Sequence, residues 1–206
     1  MTKLLLQKEL DAIIKEIITP MFKNEGYRKS DRNYYKDFTH HGLCFNIQSS
    51  LYNNAQEIRF TFNTGIFVPE IYKIYFNSPI PKFPKEYDCF NRKRIGDLMG
   101  TTDYWYSITD QTNIDCLKVC ISTHIKTYAI PYLREYKNVE DILKLYRENR
   151  FSKAPYDYAS LAGLMILFGM KKEGAKLIKN HYHKSSNEGY KGTLKAYAAK
   201  LGVELT

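Results

Sequence analysis

The amino-acid sequence predicts an α+β fold: a mostly antiparallel sheet with helices packed on one face, followed by an all-helical C-terminal extension. Three observations point there. Apolar residues recur at three- and four-residue spacing over residues 3–24 and again over 113–137, which is the period of a helix with one buried stripe. Between these stretches, apolar and polar residues alternate, the period of a strand with one covered face. Beyond residue 138 the alternation disappears and only helical periodicity remains. Helix, strands, helix describes an α+β domain over residues 1–137, and the remainder, 138–206, reads as a helical extension.

In the first helix Leu6, Leu10, Ile13, Ile14, Ile17, Ile18 and Met21 form the stripe, with Lys8, Glu9, Lys15 and Glu16 opposite. Pro20 predicts a kink or a loosened last turn, and Gly26 a C-cap. Residues 27–29 and 33–38 form a hairpin around Ser30-Asp31-Arg32. Residues 43–51 and 57–67 are the clearest strands, joined by the turn-like Tyr52-Asn53-Asn54-Ala55. Their alternation sends Phe45, Ile47, Phe60, Phe62 and Ile66 to one face and Asn46, Gln48, Arg59, Thr61 and Asn63 to the other. Pro79, Pro81 and Pro84 predict an irregular loop over 77–93. A short strand over 104–108 precedes the second long helix, whose stripe is Ile114, Leu117, Ile121, Ile125 and Tyr128 and which Pro131 bends. Four short helices follow, at 139–149, 156–168, 171–183 and 188–201. Pro155 stands at a helix start and Gly169 and Gly202 stand where C-caps belong. The small residues Ala159, Ala162 and Gly163 allow two helices to approach closely.

Charge and cysteine usage narrow the function classes. The 206 residues carry a formal net charge of +9, with 19 basic and 15 acidic side chains in residues 1–137 and 12 and 7 in residues 138–206. Such a charge suits an acidic protein or a nucleic acid by long-range attraction. The 18 tyrosines and 11 phenylalanines exceed what a core of this size requires, so some rings are expected at half-exposed surfaces. Cys44, Cys89, Cys116 and Cys120 lack framework spacing, charge follows the first leucines too soon for a secretory segment, and the longest apolar run, 161–170, is about half a membrane span. A reducing cytoplasm with free thiols and no membrane partner is the expectation.

Residues 4–137 resemble an uncharacterised bacterial family known as domain of unknown function 4304. The stretches that carry the resemblance are Ile14 to Pro20, Gly26-Tyr27-Arg28-Lys29, Arg32-Asn33-Tyr34-Tyr35-Lys36, Phe45-Asn46-Ile47-Gln48, Phe60-Thr61-Phe62-Asn63-Thr64-Gly65-Ile66, Arg94-Ile95-Gly96-Asp97-Leu98 and Trp105. The resemblance implies a fold class and no activity. It also implies that the polar row on the sheet and the Arg-Ile-Gly-Asp segment belong to a recurring pattern.

No phosphate loop, dinucleotide fingerprint, zinc-protease helix or nucleophile elbow is present in the sequence. Cys116, Cys120 and His124 share a helix face at four-residue spacing, but the outer two stand about 12 Å apart at 1.5 Å per residue and cannot meet on one zinc. His40, His41 and Cys44 read more simply as a turn at a strand entrance. No metal and no cofactor are expected. Asp97, close to Arg92 and Arg94, either orients an arginine toward an anion or caps the short turn that follows. The polar row Asn46, Gln48, Arg59, Thr61 and Asn63 is denser in hydrogen-bonding groups than solubility requires, with Tyr34, Tyr35, Tyr104 and Trp105 as candidate flanking rings. The candidate binding residues are therefore Asn46, Gln48, Arg59, Thr61, Asn63, Tyr35, Arg94, Asp97 and Trp105.

These features favour a non-enzymatic protein-binding module with an acidic protein partner; by analogy it could be an immunity-type protein that neutralises a toxin. One alternative is a nucleic-acid-binding accessory protein using the basic tail, with Lys171, Lys172, Lys176 and Lys179, and exposed tyrosines. The other is an enzyme with a non-standard site near Arg94 and Asp97.

Overall fold

The computed structural model describes residues 2–151 and 154–205. The chain divides into two compact units. The first gathers Met1–Asp37, Gly42–Ile66 and Phe83–Tyr136, and the second gathers Phe38–His41, Phe67–Lys82 and Lys137–Thr206.

The sheet has six strands: β1 (Arg28–Ser30), β2 (Asn33–Asp37), β3 (Gly42–Ser49), β4 (Ile58–Phe67), β5 (Phe90–Arg94) and β6 (Tyr106–Ile108). Their order is β1-β2-β3-β4-β5, with β6 pairing the opposite end of the same edge of β4. The pairings β1–β2, β2–β3, β4–β5 and β4–β6 are antiparallel. The fold is α+β, as the periodicities imply. Strand β5 corrects one expectation, since residues 77–93 were to be irregular throughout. The last proline of that stretch is Pro84, and over Phe90–Arg94 nothing prevents the backbone from donating to a ladder.

The pleat of β4 organises the first unit. Phe60 and Phe62 point to one side and are fully buried with Phe45, Tyr34 and Tyr106. Phe22 of the first helix stacks on Phe45 at 4.0 Å, and Phe60 on Tyr106 at 5.3 Å. Offset and edge contacts of this kind add to the burial of the rings.

Both long helices of this unit share a device absent from the sequence reading. Each contains one π-helical turn, Ile14–Ile18 in the first and Ile125–Ala129 in the second, and each turn ends just ahead of a proline pair, Thr19-Pro20 and Ile130-Pro131. A proline in mid-helix lacks a donor and its ring crowds the carbonyl four residues back. The wider turn, in which Thr19 and Ile130 bond the carbonyls of Ile14 and Ile125, relieves that crowding without ending the helix. It also straightens the buried rows. An α-helix carries a four-spaced row about 40° around its axis at each step, so Leu6, Leu10, Ile14, Ile18 and Phe22 would drift off the core. All five are buried, as are Ile121, Ile125, Ala129 and Leu133.

In the second unit, helices Val139–Arg147, Pro155–Leu167, Lys171–Lys184 and Glu188–Lys200 are joined by a helix not foreseen, Pro69–Phe76. Gly163 permits a close approach there: a side chain at that position would strike the Tyr197 hydroxyl oxygen and Ile71. Ala159 and Ala162 are buried beside it. His40 lies against Phe168 and His41 stacks on Phe38 at 4.6 Å, so these histidines pack on rings. Among the described residues no group of three or more His, Cys, Asp or Glu could hold a metal ion. No described helix is long and apolar enough to cross a membrane.

Two outcomes test this architecture. Phe62→Ala removes a fully buried ring from the centre of the sheet, and urea denaturation should show a loss of roughly 3–5 kcal/mol. His124 accepts or donates at 2.9 Å to the Tyr106 hydroxyl, and its burial lowers its pKa below the ordinary 6.5. The unfolded chain therefore binds more protons than the folded one just below that value, so stability falls as pH drops through it. His124→Phe should lessen the loss between pH 7.5 and 5.5.

Candidate functional site

The face of the sheet opposite the long helices is divided. At one end the segment 83–89 covers it: Phe83 packs 5.9 Å from the Tyr35 ring, Cys44 Sγ donates to the Pro84 carbonyl, and Cys89 lies over Gly65. Tyr35 is buried here, its hydroxyl donating to Asp37 at 2.9 Å, so its ring closes the face rather than presenting itself.

The other end carries a continuous network across four strands. Register sets it up, since Asn33 faces Asn46 and Asn63 faces Arg94. Arg94 Nε donates to Asn63 Oδ1 at 3.4 Å, Asn63 Nδ2 to Asn46 Oδ1 at 3.4 Å, and Asn46 Nδ2 to Asn33 Oδ1 at 2.8 Å. Asn63 and Asn46 each accept on one side and donate on the other, so the chain of dipoles runs one way, from the guanidinium to Asn33 on β2. Gln48 Oε1 accepts from Asn63 at 2.9 Å and from Arg94 at 3.4 Å. Asn33 and Asn63 are buried, Asn46 half-buried and Gln48 exposed. The amides thus satisfy one another beneath an open rim.

That rim is Arg94, Asp103, Trp105 and Arg59. Arg94 forms an ion pair with Asp103, whose other oxygen accepts from the Trp105 indole at 2.9 Å. The indole hydrogen bond first, and the Arg94 bond second, hold the Asp103 carboxyl below its usual range. Both guanidinium groups lie by the same ring, Arg94 at 5.3 Å and Arg59 at 5.7 Å from its centroid. The Arg59 backbone is pinned by Asn53, which accepts its N–H at 2.7 Å and donates to its carbonyl at 3.1 Å. Its exposed guanidinium has no hydrogen bond or ion pair among the described residues.

The Arg-Ile-Gly-Asp segment assembles this rim. Ile95 is buried and anchors it. Gly96 lets two backbones meet, because a Cβ there would stand 2.9 Å from the Tyr104 nitrogen and 3.1 Å from the Thr102 oxygen. Asp97 accepts from the Arg94 backbone N–H at 2.9 Å, so it caps the turn. Thr61, fully buried, donates to the Tyr104 carbonyl at 2.8 Å and ties β4 to the same loop. The arginine-orienting carboxylate is Asp103, which sequence reasoning missed because no spacing announces it. Asn33 was missed too, although its two-residue offset from Tyr35 places it on this face.

Removing Asn63 as Asn63→Ala should leave buried donors and acceptors unmatched and cost about 1–3 kcal/mol in urea denaturation. Arg59→Ala should change stability by no more than about 0.5 kcal/mol in the same measurement.

A family model described as Domain of unknown function (DUF4304) matches residues 18–135, a span that contains the whole network from Asn33 to Trp105. Neither a curated protein nor a solved structure matches the chain.

Proposed function

The chain belongs to the DUF4304 family, and we propose that it is a non-enzymatic binding module that takes an acidic segment of a partner protein on the open end of its sheet. One observation carries this reading: Arg59, an exposed cation seated by Trp105, makes no ion pair or side-chain hydrogen bond among the described residues, and the carboxylate that attracts it, Asp103, is already bound by Arg94 and the indole. Arginine and tryptophan together supply a planar charged fork and a large apolar face, the residue types that dominate binding energies. Gln48 adds an exposed amide at the same rim. The network beneath holds the rim in place, so little ordering is needed on association. A toxin neutralised by an immunity-type protein is one partner of this kind.

Acid–base chemistry finds little support here. The Asp103 carboxyl is held ionised and is a weak base for that reason, and Asp97 is bound to a backbone N–H. The nucleic-acid reading has one observation in its favour: Lys171, Lys172, Lys176 and Lys179 are exposed along one helix, with no ion pair among the described residues.

Affinity capture from the native cell with the wild-type chain, Arg59→Ala and Trp105→Ala distinguishes these. The wild type should retain one stoichiometric acidic protein, resistant to nuclease, and both variants should weaken its binding by about 1–2 kcal/mol or more. Trp105 is the single tryptophan of the chain, so its emission should shift when the purified partner is added. Nuclease-sensitive material, or capture unchanged by both substitutions, would overturn the reading.

A further inference from the structure

The geometry points to a second binding site in the first unit: the cleft between the first helix and the β1–β2 hairpin, suited to a small soluble molecule bearing a phosphate group. The cleft encloses about 610 Å³, within the range of small-ligand sites. One wall is a four-spaced row on the helix, Asp11, Lys15, Thr19 and Lys23, and the other is Lys29 with Arg32 at the hairpin turn. The π turn Ile14–Ile18 falls within this row. In an unbroken α-helix the row would swing about 40° per step, and the wider turn sets that drift back, so all four residues line one cleft.

The charges there are unevenly committed. Arg32 donates to Ser49 Oγ and, at 3.3 Å, to Asp11, which also accepts from Gln7 at 3.0 Å. This pair is closed and forms a fixed end of the cleft. Glu16, next to Lys15, is occupied by Lys118 at 2.7 Å. Lys15, Lys23 and Lys29 remain, with no hydrogen bond or ion pair among the described residues, and of the two lining carboxylates Asp11 is taken by Arg32, which leaves Asp31. Three ammonium groups, each with three donors, around a recess match the oxygens of a multiply charged phosphate. Thr19, whose hydroxyl meets that of Tyr34 at 2.8 Å, gives the floor a polar group, and Asp31 at the rim can accept from hydroxyls on the rest of the molecule. The lining contains no aromatic ring, so a phosphate with a polar body fits better than one carrying a base to be stacked.

The test is calorimetric titration of the full chain with pyrophosphate, with Lys23→Gln, Lys29→Gln, and the controls Lys179→Gln and Lys126→Gln, both exposed and outside the cleft and the sheet-face site. Each control removes one positive charge elsewhere. Saturable binding that weakens about five- to tenfold in each cleft variant, and is unchanged in both controls, is expected. Circular dichroism and urea denaturation of the cleft variants should match the wild type, since these lysines are exposed. Absence of binding at millimolar pyrophosphate, or equal losses in cleft and control variants, would overturn the proposal. So would displacement of pyrophosphate by a single-stranded oligonucleotide at far lower concentration, which would make the cleft a nucleic-acid contact. Because the cleft shares no lining residue with the sheet-face site, failure here leaves that reading untouched, and the reverse also holds.

Discussion

The first unit depends on the pleat of β4. A strand sends successive side chains to opposite faces, and β4 uses this over ten residues to build two environments at once. Phe60 and Phe62 face the helices, and Arg59, Thr61 and Asn63 face away. Because β4 pairs with β3 on one side and with β5 and β6 on the other, the alternation is transmitted to its neighbours. A slip by one residue would put Asn63 among the phenylalanines and Phe62 under Arg94, so aromatic burial and amide pairing enforce the same register.

The outer face shows how a buried polar layer can be tolerated on a sheet. Asn33 and Asn63 lose contact with water, and each recovers its hydrogen bonds from an amide or guanidinium on the adjacent strand. A half-satisfied layer would cost more than an apolar one. Arg94 completes it, and its charge is in turn balanced by Asp103. The satisfied part of the network therefore lies inward, and the groups exposed at its end are Gln48 and Arg59, beside the half-buried Trp105.

Proline has an equally wide reach. Pro20 and Pro131 follow π turns in two helices, and in both the turn opens on Ile-Lys with the proline six residues after the isoleucine. In each, the wider turn makes room for the ring and keeps a four-spaced row on line. In the first helix it aligns two rows, Leu6 to Phe22 toward the core and Asp11 to Lys23 toward the cleft. A constraint on one backbone nitrogen thus helps decide which side chains share a surface along the whole helix.

The sequence by itself determined the periodic elements. Both long helices, the hairpin strands, the two faces of β3 and β4 and the helical character of residues 139–200 follow from spacing, because side-chain direction repeats every 3.6 or 2 residues regardless of what packs nearby. It also pointed to Asn46, Gln48, Asn63, Arg94 and Trp105 as residues of interest. Tertiary structure alone decided the rest. Of the two roles open to Asp97 it takes the turn cap, and orienting Arg94 falls to Asp103, because the close approach permitted by Gly96 brings residues 102–104 beside Arg94. Tyr35, on the outer face by alternation, is enclosed because segment 83–89 folds over it. Strand β5 exists because β4 offers it an edge, and no local pattern encodes that edge. Which polar groups are spent on one another and which remain open is a property of contacts between strands, and periodicity within one strand carries no record of it.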